Sequence, residues 1–267
     1  MNVYHVDAFT DCLFKGNSAG ICILDKDDIK DELKKQIAAE LKHSETAFVW
    51  LKNENETILR WFTPKKEVDL CGHATLAAAH ILWEKNYFNK NEMINFITKS
   101  GNISALLIDD MIEMDFPQLF VNECVENELL NKAFGIKPIY TGKNNKRYLI
   151  EIEDANQLRQ LDPDFELLKK VDLGAFMITC KSDKSEYDFL SRFFAPYVGI
   201  LEDPVTGSAH CYLAPYWSNK LNKKKLIGFQ ESSRTGLLKC ELREKGRLKL
   251  SGKAITFYEG IMNEKNI

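Results

Sequence analysis

The sequence lacks the features that mark several large classes of protein. Its 267 residues hold 36 basic and 39 acidic side chains, a net charge of −3, so no basic excess favours nucleic acid. No apolar run is long enough to span a membrane. The first seven residues have neither the basic start nor the apolar stretch of a signal peptide. We therefore expect a cytoplasmic protein that binds neither nucleic acid nor membrane.

Motifs for cofactors, phosphate and metal are also missing. The chain has no G-x-G-x-x-G, no Walker A lysine and no G-x-S-x-G elbow. Seven cysteines are scattered without a C-x-x-C pair, which favours reduced thiols over a disulfide or zinc framework. One conceivable metal group matches no standard zinc spacing, so we expect no metal; it comprises Cys71, His73, His210 and Cys211.

Short β-branched and aromatic stretches predict a strand-rich chain with few helices, which is an α+β fold. Apolar residues at helical spacing predict an amphipathic helix over 28–42, and an almost wholly apolar stretch predicts a buried one over 74–86. A short helix over 123–134 and a second buried helix from 208 are also predicted. Pro215 is expected to kink that helix or to end it near 214.

One short run occurs twice. Residues 60–64 read Arg-Trp-Phe-Thr-Pro and residues 192–196 read Arg-Phe-Phe-Ala-Pro, at an offset close to half the chain length. This repeated run is followed in each case by a buried helix that reaches a tryptophan. We predict two similar halves, 1–115 and 116–267, each a curled sheet around one helix. The last strand, near 254–267, is expected to pack with the first half, and a ligand cleft is expected between the halves.

The starts of the two buried helices are the strongest candidates for a site. Residues 69–75 and 202–210 each lead through a glycine, Gly72 or Gly207, into a helix. The unpaired N–H groups and the dipole of a helix N-terminus favour an anion such as a carboxylate. Plain capped helices would explain the same residues, with Thr206 or Ser208 as the cap.

Two further positions are candidates on weaker grounds. Glu45 stands at the entry to an apolar strand beside Phe48 and Trp50, where a carboxylate partly removed from water is suited to exchanging a proton near neutral pH. Asn17 lies in a glycine-containing loop, where it binds a ligand or shapes a turn. An exposed glutamate at a strand start would be the simpler interpretation of Glu45.

The repeat suggests a second way to carry out acid/base chemistry. Counting 132 residues from Cys71 reaches Asp203, so a thiol in one half matches a carboxylate in the other. Two such groups on opposite sides of a ligand suit removal and return of a proton at carbon. A helix N-terminus near each would favour the thiolate and the carboxylate.

Together these motifs resemble the phenazine-biosynthesis PhzF-like family, which has the diaminopimelate epimerase-like fold. Each fragment is weak alone, and their order along the whole chain makes the resemblance specific. One departure is Cys71 before Gly72, as in many relatives outside the phenazine pathway. The matching fragments are residues 6–9, 16–17, 44–48, 62–64, 71–76, 202–209, 250–254 and 259–260.

The resemblance implies two pseudo-twofold-related halves, no metal or organic cofactor, and commonly a homodimer. In the phenazine pathway the reaction isomerises a dihydro-hydroxyanthranilate by proton transfer. The residue matching Glu45 is the acid/base group there, and residues matching His73, Asp203 and Ser208 assist. The substrate site predicted from the helix starts and from this resemblance also includes Asn17, Cys71, Gly72, Thr206 and Gly207.

The sequence thus predicts a cofactor-independent isomerase of a small carboxylic acid. Diaminopimelate epimerases carry a catalytic cysteine in both halves, whereas the second half here has Asp203-Pro204 in that region. The substrate therefore stays open. Two alternatives remain: a two-base epimerase or racemase that uses Cys71 and Asp203, and a non-catalytic binding protein that keeps the cleft.

Overall fold

The chain folds into two units, each with its own strands and one long buried helix. The computed structural model describes residues 1–26, 29–53, 56–125, 127–145, 147–171 and 174–263. The first unit comprises Met1–Asp115 and the segment that starts at Ser251, and the second comprises Phe116–Leu250. No helix within these described ranges is long and apolar enough to cross a membrane.

Strands make up most of the regular structure. Three of the strands, β5, β9 and β14, have only two to four residues. The strands are β1 Asn2–Ala8, β2 Asn17–Ile23, β3 Thr46–Asn53, β4 Glu56–Phe62, β5 Glu67–Val68, β6 Ile94–Thr98, β7 Gly101–Ile108, β8 Met111–Pro117, β9 Asn122–Glu123, β10 Tyr140–Asn144, β11 Arg147–Glu151, β12 Ala175–Lys181, β13 Phe189–Ala195, β14 Ile200–Asp203, β15 Lys225–Gln230, β16 Gly236–Leu242, β17 Arg247–Gly252 and β18 Ala254–Ile261.

The helices differ from prediction at their ends, and at one of them a side-chain cap sets the first turn. The helix predicted over 123–134 begins only at Glu128, because the side chain of Asn127 accepts from the N–H groups of Leu129 and Leu130. Two short helices, α4 and α5, were not predicted. The helices are α1 Asp31–Leu41, α2 Gly72–Glu84, α3 Glu128–Phe134, α4 Ala155–Arg159, α5 Phe165–Leu168 and α6 Gly207–Leu221, with a 3-10 turn at Pro196–Val198.

The two units repeat one strand topology. In the first, β1–β2 pair antiparallel, β2–β3 parallel, β3–β4 antiparallel, β4–β6 parallel and β6–β7 antiparallel. In the second, β10–β11, β11–β12, β12–β13, β13–β15 and β15–β16 pair in the same sequence of directions. The predicted similarity of two β-rich halves is therefore confirmed. In addition, β18 pairs antiparallel with β1.

The repeated run has a structural role in both units. Arg60 of β4 makes a bidentate ion pair with Glu67, with Nε–Oε1 and Nη2–Oε2 distances of 2.7 and 2.8 Å. Arg192 of β13 pairs with Glu202 in the same way, at 2.7 and 3.0 Å. Paired guanidinium groups of this kind fix planar, directional contacts. The arginines therefore join β4 to β5 and β13 to β14, the strands that lead into the buried helices.

The helices α2 and α6 are buried because their sequences are apolar on nearly every side. In α6 the predicted early stop at Pro215 is wrong, since the helix continues to Leu221. Proline removes the N–H that would bond the carbonyl of Cys211. That carbonyl instead accepts from the backbone N–H of Leu119 at 2.9 Å. The cost of the proline is offset by this bond, so the helix does not end there.

A buried histidine makes the second unit sensitive to acid. His210 of α6 is fully buried, and its Nδ1 donates to the Thr206 carbonyl at 2.9 Å, which fixes the tautomer of the ring. Burial lowers the pKa of His210 from 6.5 to about 4. Below pH 6.5 the unfolded chain takes up this proton and the folded protein does not, down to about pH 4. We expect a loss of roughly 3 kcal/mol of unfolding free energy over this range from His210 alone.

Urea unfolding of wild type and His210→Leu at pH 7 and pH 4.5 measures the contribution of His210 to the loss of unfolding free energy. The variant is expected to be less stable at pH 7 but to lose less free energy on acidification, because it has no imidazole to titrate at this position. Carboxylates contribute equally to both proteins, so the difference between the two pH dependences isolates His210. Equal losses in the two proteins would contradict the assignment.

Candidate active site

The N-terminus of α2 presents a thiol and an imidazole together. Cys71 holds the N-cap position, and its carbonyl accepts from the N–H and the hydroxyl of Thr75 at 3.1 and 2.6 Å. This side-chain contact keeps Thr75 inside the helix and closes its first turn. Gly72 and His73 follow as the first helical residues, so the His73 ring stands at the positive end of the helix dipole.

His73 connects two acid/base groups. Its Nε2 lies 3.5 Å from Oε2 of Glu45, and its Nδ1 lies 3.5 Å from Sγ of Cys71. The hydroxyl of Ser44 is 3.4 Å from Nε2. The side chains of His73 and Glu45 are only 8% and 16% exposed. A carboxylate, an imidazole and a thiol thus lie close together in a largely buried part of the first unit. Proton transfer requires acid/base groups that are positioned in this way.

Glu45 is held there by the sheet. It directly precedes β3, whose first residues are buried, and its carbonyl accepts from the N–H of Gly20 in β2 at 3.3 Å. The strand register leaves the Glu45 side chain little freedom, because its backbone is fixed on the β2 side and its neighbour Thr46 is fully buried. The simpler sequence interpretation, an exposed glutamate at a strand start, is wrong.

The second unit has no carboxylate at the position of Glu45. The last phenylalanine of the repeated run is Phe62 in the first unit, where it pairs with Thr46. In the second unit it is Phe194, which pairs with Phe176. The residues before these two pairing partners, Glu45 and Ala175, are therefore equivalent in the repeated topology. The duplication thus keeps the strand pairing but places this acid/base group in one unit only.

The N-terminus of α6 is organised around Asp203. Thr206 holds the N-cap position without a side-chain cap, and its hydroxyl instead donates to Oδ2 of Asp203 at 2.5 Å. The amide of buried Gln230 donates to the Asp203 carbonyl at 2.7 Å and accepts from the Thr206 N–H at 2.9 Å. The expectation that a Thr206 or Ser208 side chain caps the helix is wrong, because Asp203 holds the Thr206 hydroxyl and Ser208 is the second residue of the helix itself.

Ser208 has a partner that the sequence did not reveal. Nη1 of Arg147, the first residue of β11, lies 3.2 Å from the Ser208 hydroxyl and donates to it. The guanidinium lies 5.8 Å from the ring centres of both Phe193 and Tyr212. A cation held by two rings beside a helix N-terminus is suited to bind a carboxylate. No signal pointed to Arg147, since it is one of many basic residues and its partner is distant in sequence.

The proposed match between Cys71 and Asp203 is corrected by the structure. The N-cap residues of α2 and α6 are Cys71 and Thr206, so these two are equivalent. In the second unit, Asp203 pairs with Phe193, the residue after the arginine of the repeated run. In the first unit, Trp61 holds that position and pairs with Val68, so Asp203 is equivalent to Val68. A constant offset of 132 failed because the second copy has additional residues between the run and the helix.

Asn17 is the first residue of β2 and is buried, opposite Ala8 of β1. The turn before it requires glycine. Gly16 has φ of +69°, and a Cβ there would lie 2.2 Å from the Ala8 carbonyl oxygen. The Gly-Asn pair therefore has a structural reason in the turn, and its role in binding a substrate stays a prediction.

The potential metal ligands differ from the group considered from sequence. Donor atoms of Glu45, Cys71 and His73 all lie within 4.8 Å of one another. Cys71 and His73 belong to the first unit, whereas His210 and Cys211 belong to α6 of the second, where both are buried. All seven cysteines are thiols in the structure.

Comparisons with known proteins agree with this fold. The family model described as phenazine biosynthesis-like protein matches residues 6–260. An uncharacterized isomerase of Halalkalibacterium halodurans is 48% identical over 258 residues, with 95% of each chain covered. A PhzF-family phenazine biosynthesis protein of Enterococcus faecalis has a crystal structure with a TM-score of 0.91 and 37% identity, covering 97% of each chain.

A more distant likeness extends to epimerases. A hydroxyproline epimerase of Agrobacterium vitis gives a TM-score of 0.61 at 10% identity, covering 97% of this chain and 91% of that one, which shows the fold alone. The strand order and buried helices therefore define an α+β protein with the epimerase-like fold. Within that fold the chain belongs to the phenazine biosynthesis-like (PhzF) family. The predicted family, fold class and enzyme class, an isomerase, are confirmed by that membership.

Proposed function

We propose that this protein is a cofactor-independent isomerase that moves a proton between carbons of a small carboxylic acid. Glu45 removes the proton from one carbon and returns it at another. The observation that carries the proposal is the 3.5 Å approach of the Glu45 carboxylate to Nε2 of His73 in a largely buried place. A positioned acid/base group of this kind contributes about 10²–10⁴-fold to a rate.

His73 has a supporting role in this proposal. An imidazole between Glu45 and Cys71 can hold the carboxylate in place and stabilise either protonation state of the pair. The α2 N-terminus adds partial positive charge, which stabilises the negative charge that develops when a proton leaves carbon.

The second unit has its own set of groups that suit a carboxylate. Arg147, Ser208 and the N–H groups at the start of α6 are donors that suit a carboxylate. Asp203 assists, with its carboxylate oriented by Thr206. We further propose that Asn17, Gly72 and Gly207 contribute to the substrate site and that the protein acts in the cytoplasm. We also propose that it forms a homodimer, which the family resemblance implies.

A two-base epimerase or racemase is the second candidate within the isomerase class. Its support in the repeat is weakened, because Cys71 is equivalent to Thr206 and not to Asp203. One observation still favours a role for the thiol, namely the 3.5 Å distance between Cys71 Sγ and His73 Nδ1. A binding protein without turnover has less support, since a scaffold does not require Glu45 and His73 to meet in a buried place.

The fate of a labelled hydrogen tests the proposal. Small carboxylic acids are first screened by thermal shift, and the acid that stabilises the protein is then incubated in deuterated buffer. If Glu45 is the sole base, hydrogen moves within the substrate and Cys71→Ala lowers the rate less than about tenfold. If two opposed bases act, inversion occurs with uptake of deuterium, and Cys71→Ala lowers the rate at least ~10²-fold.

Cys12→Ala is the matched control, because Cys12 is an exposed thiol of the same unit and is expected to leave the rate unchanged. Binding of the acid without migration, inversion or deuterium uptake would overturn the isomerase proposal in favour of a binding protein. Inversion that depends on Cys71 would favour the two-base mechanism instead.

A further inference from the structure

We propose that Glu45, Cys71 and His73 form a binding site for a thiophilic divalent cation, with Zn²⁺ as the best match, and that this cation inhibits the enzyme. The three side chains offer one carboxylate oxygen, one sulfur and one imidazole nitrogen, all within 4.8 Å of one another. Each of these donor types binds Zn²⁺, and catalytic zinc sites use three protein ligands and one open position.

The distances between donor atoms match a tetrahedral ion with little movement. Zn–S and Zn–N bonds of about 2.3 and 2.1 Å place sulfur and nitrogen about 3.6 Å apart, and nitrogen and oxygen about 3.4 Å apart. In the structure, Cys71 Sγ lies 3.9 Å from His73 Nε2, and Nε2 lies 3.5 Å from Glu45 Oε2. Movements of a few tenths of an ångström would bring these two distances to the tetrahedral values, and the sulfur and the carboxylate oxygen lie within 4.8 Å of each other.

The charge of the three ligands and the softness of their donor atoms determine which cations the site binds. A thiolate and a carboxylate together balance the charge of a divalent ion, so the bound ion adds no net charge beside the partial positive charge at the α2 N-terminus. Sulfur and imidazole ligands favour Zn²⁺ and Co²⁺ over Mg²⁺ and Ca²⁺, which prefer oxygen. The site is therefore expected to distinguish these two groups of cations.

Other thiols compete poorly for such an ion. Burial raises the pKa of Cys180 and of Cys211 to about 12, so neither offers a thiolate near neutral pH. Cys12 is exposed and lies in the same unit. It therefore serves as the matched control for a thiol that binds cations without a neighbouring imidazole.

Inhibition follows if Glu45 is the base, because the cation would occupy the carboxylate that must exchange a proton. This part rests on the proposed function, whereas binding of the cation does not. The two are separated by reading binding from a spectrum and inhibition from substrate turnover.

Titration of the full-length protein with Co²⁺ tests the site. A thiolate ligand gives Co²⁺ a charge-transfer absorption in the near ultraviolet, which we expect to saturate at one ion per chain and to disappear when Zn²⁺ displaces it. Cys71→Ser is expected to abolish the band, and Glu45→Gln to weaken Co²⁺ binding at least ~10-fold, because a direct ligand is lost. Cys12→Ser is expected to leave band and affinity unchanged.

His73→Gln keeps the thiol and is also expected to abolish stoichiometric binding, so the proposal does not depend on the stability of one variant. The absence of the band in wild type, its persistence in folded Cys71→Ser or His73→Gln, or its loss in Cys12→Ser would overturn the proposal. Saturable Co²⁺ binding without any detectable isomerase activity would support the cation site while the proposed function failed. Full turnover with Zn²⁺ bound would refute inhibition.

Discussion

Replacing Glu45 with glutamine is expected to lower the rate of proton transfer at carbon at least ~10²-fold while leaving binding of the acid largely intact. The amide has the shape of the carboxyl group but cannot accept and return a proton. Single-turnover transfer of a labelled hydrogen measures the rate, and thermal shift with the same acid measures binding.

Glu40→Gln is the matched control, since Glu40 is an exposed glutamate of α1 and its replacement makes the same chemical change. The control is expected to keep the wild-type rate. Wild-type turnover in Glu45→Gln would refute the assigned role and leave the Cys71 mechanism as the better account.

Removing the Trp217 side chain is expected to cost about 3–5 kcal/mol of unfolding free energy, the largest effect on stability that we predict. Trp217 of α6 is 1% exposed and stacks on Phe189, with ring centres 5.9 Å apart and planes 3° apart. Its Nε1 donates to the Thr179 hydroxyl at 2.9 Å. Trp217→Ala therefore leaves a cavity beside the ring and removes a buried donor.

Trp217→Phe separates the cost of the cavity from the cost of the lost hydrogen bond. It keeps most of the ring packing and loses the hydrogen bond, so a smaller loss of about 1–3 kcal/mol is expected. Tyr197→Ala, at a 55% exposed aromatic residue of the same unit, is expected to stay within about 0.5 kcal/mol of wild type. Urea unfolding measures all three, and a loss below about 1 kcal/mol in Trp217→Ala would contradict the packing argument.

Local patterns predicted most of the fold. Alternating and apolar stretches indicated the long strands, and the apolar sequences of α2 and α6 predicted their burial, because period and hydrophobicity act over a few neighbouring residues. Helix ends were less accurate. The start of α3 depends on the cap at Asn127, and the length of α6 depends on a bond from Leu119 to Cys211, which is remote in sequence.

The repeated run correctly predicted two similar units, but the run alone does not explain why its arginine recurs. Its recurrence indicated duplication, and both units do share one strand topology. The arginines are retained because each joins two strands through a glutamate, a contact that the run itself does not contain. A constant offset then mismatched Cys71 with Asp203, since insertions accumulate in the turn before α6.

By itself, the sequence determined the strand-rich α+β fold, its duplication, the family, and the residue types at the two helix starts. These follow from local periodicity, composition and motif order. Only the tertiary structure decided that Glu45, His73 and Cys71 meet, that Ala175 replaces Glu45 in the second unit, and that Arg147 reaches Ser208. Each depends on strand register and on hydrogen bonds between residues distant in sequence, which local pattern does not encode.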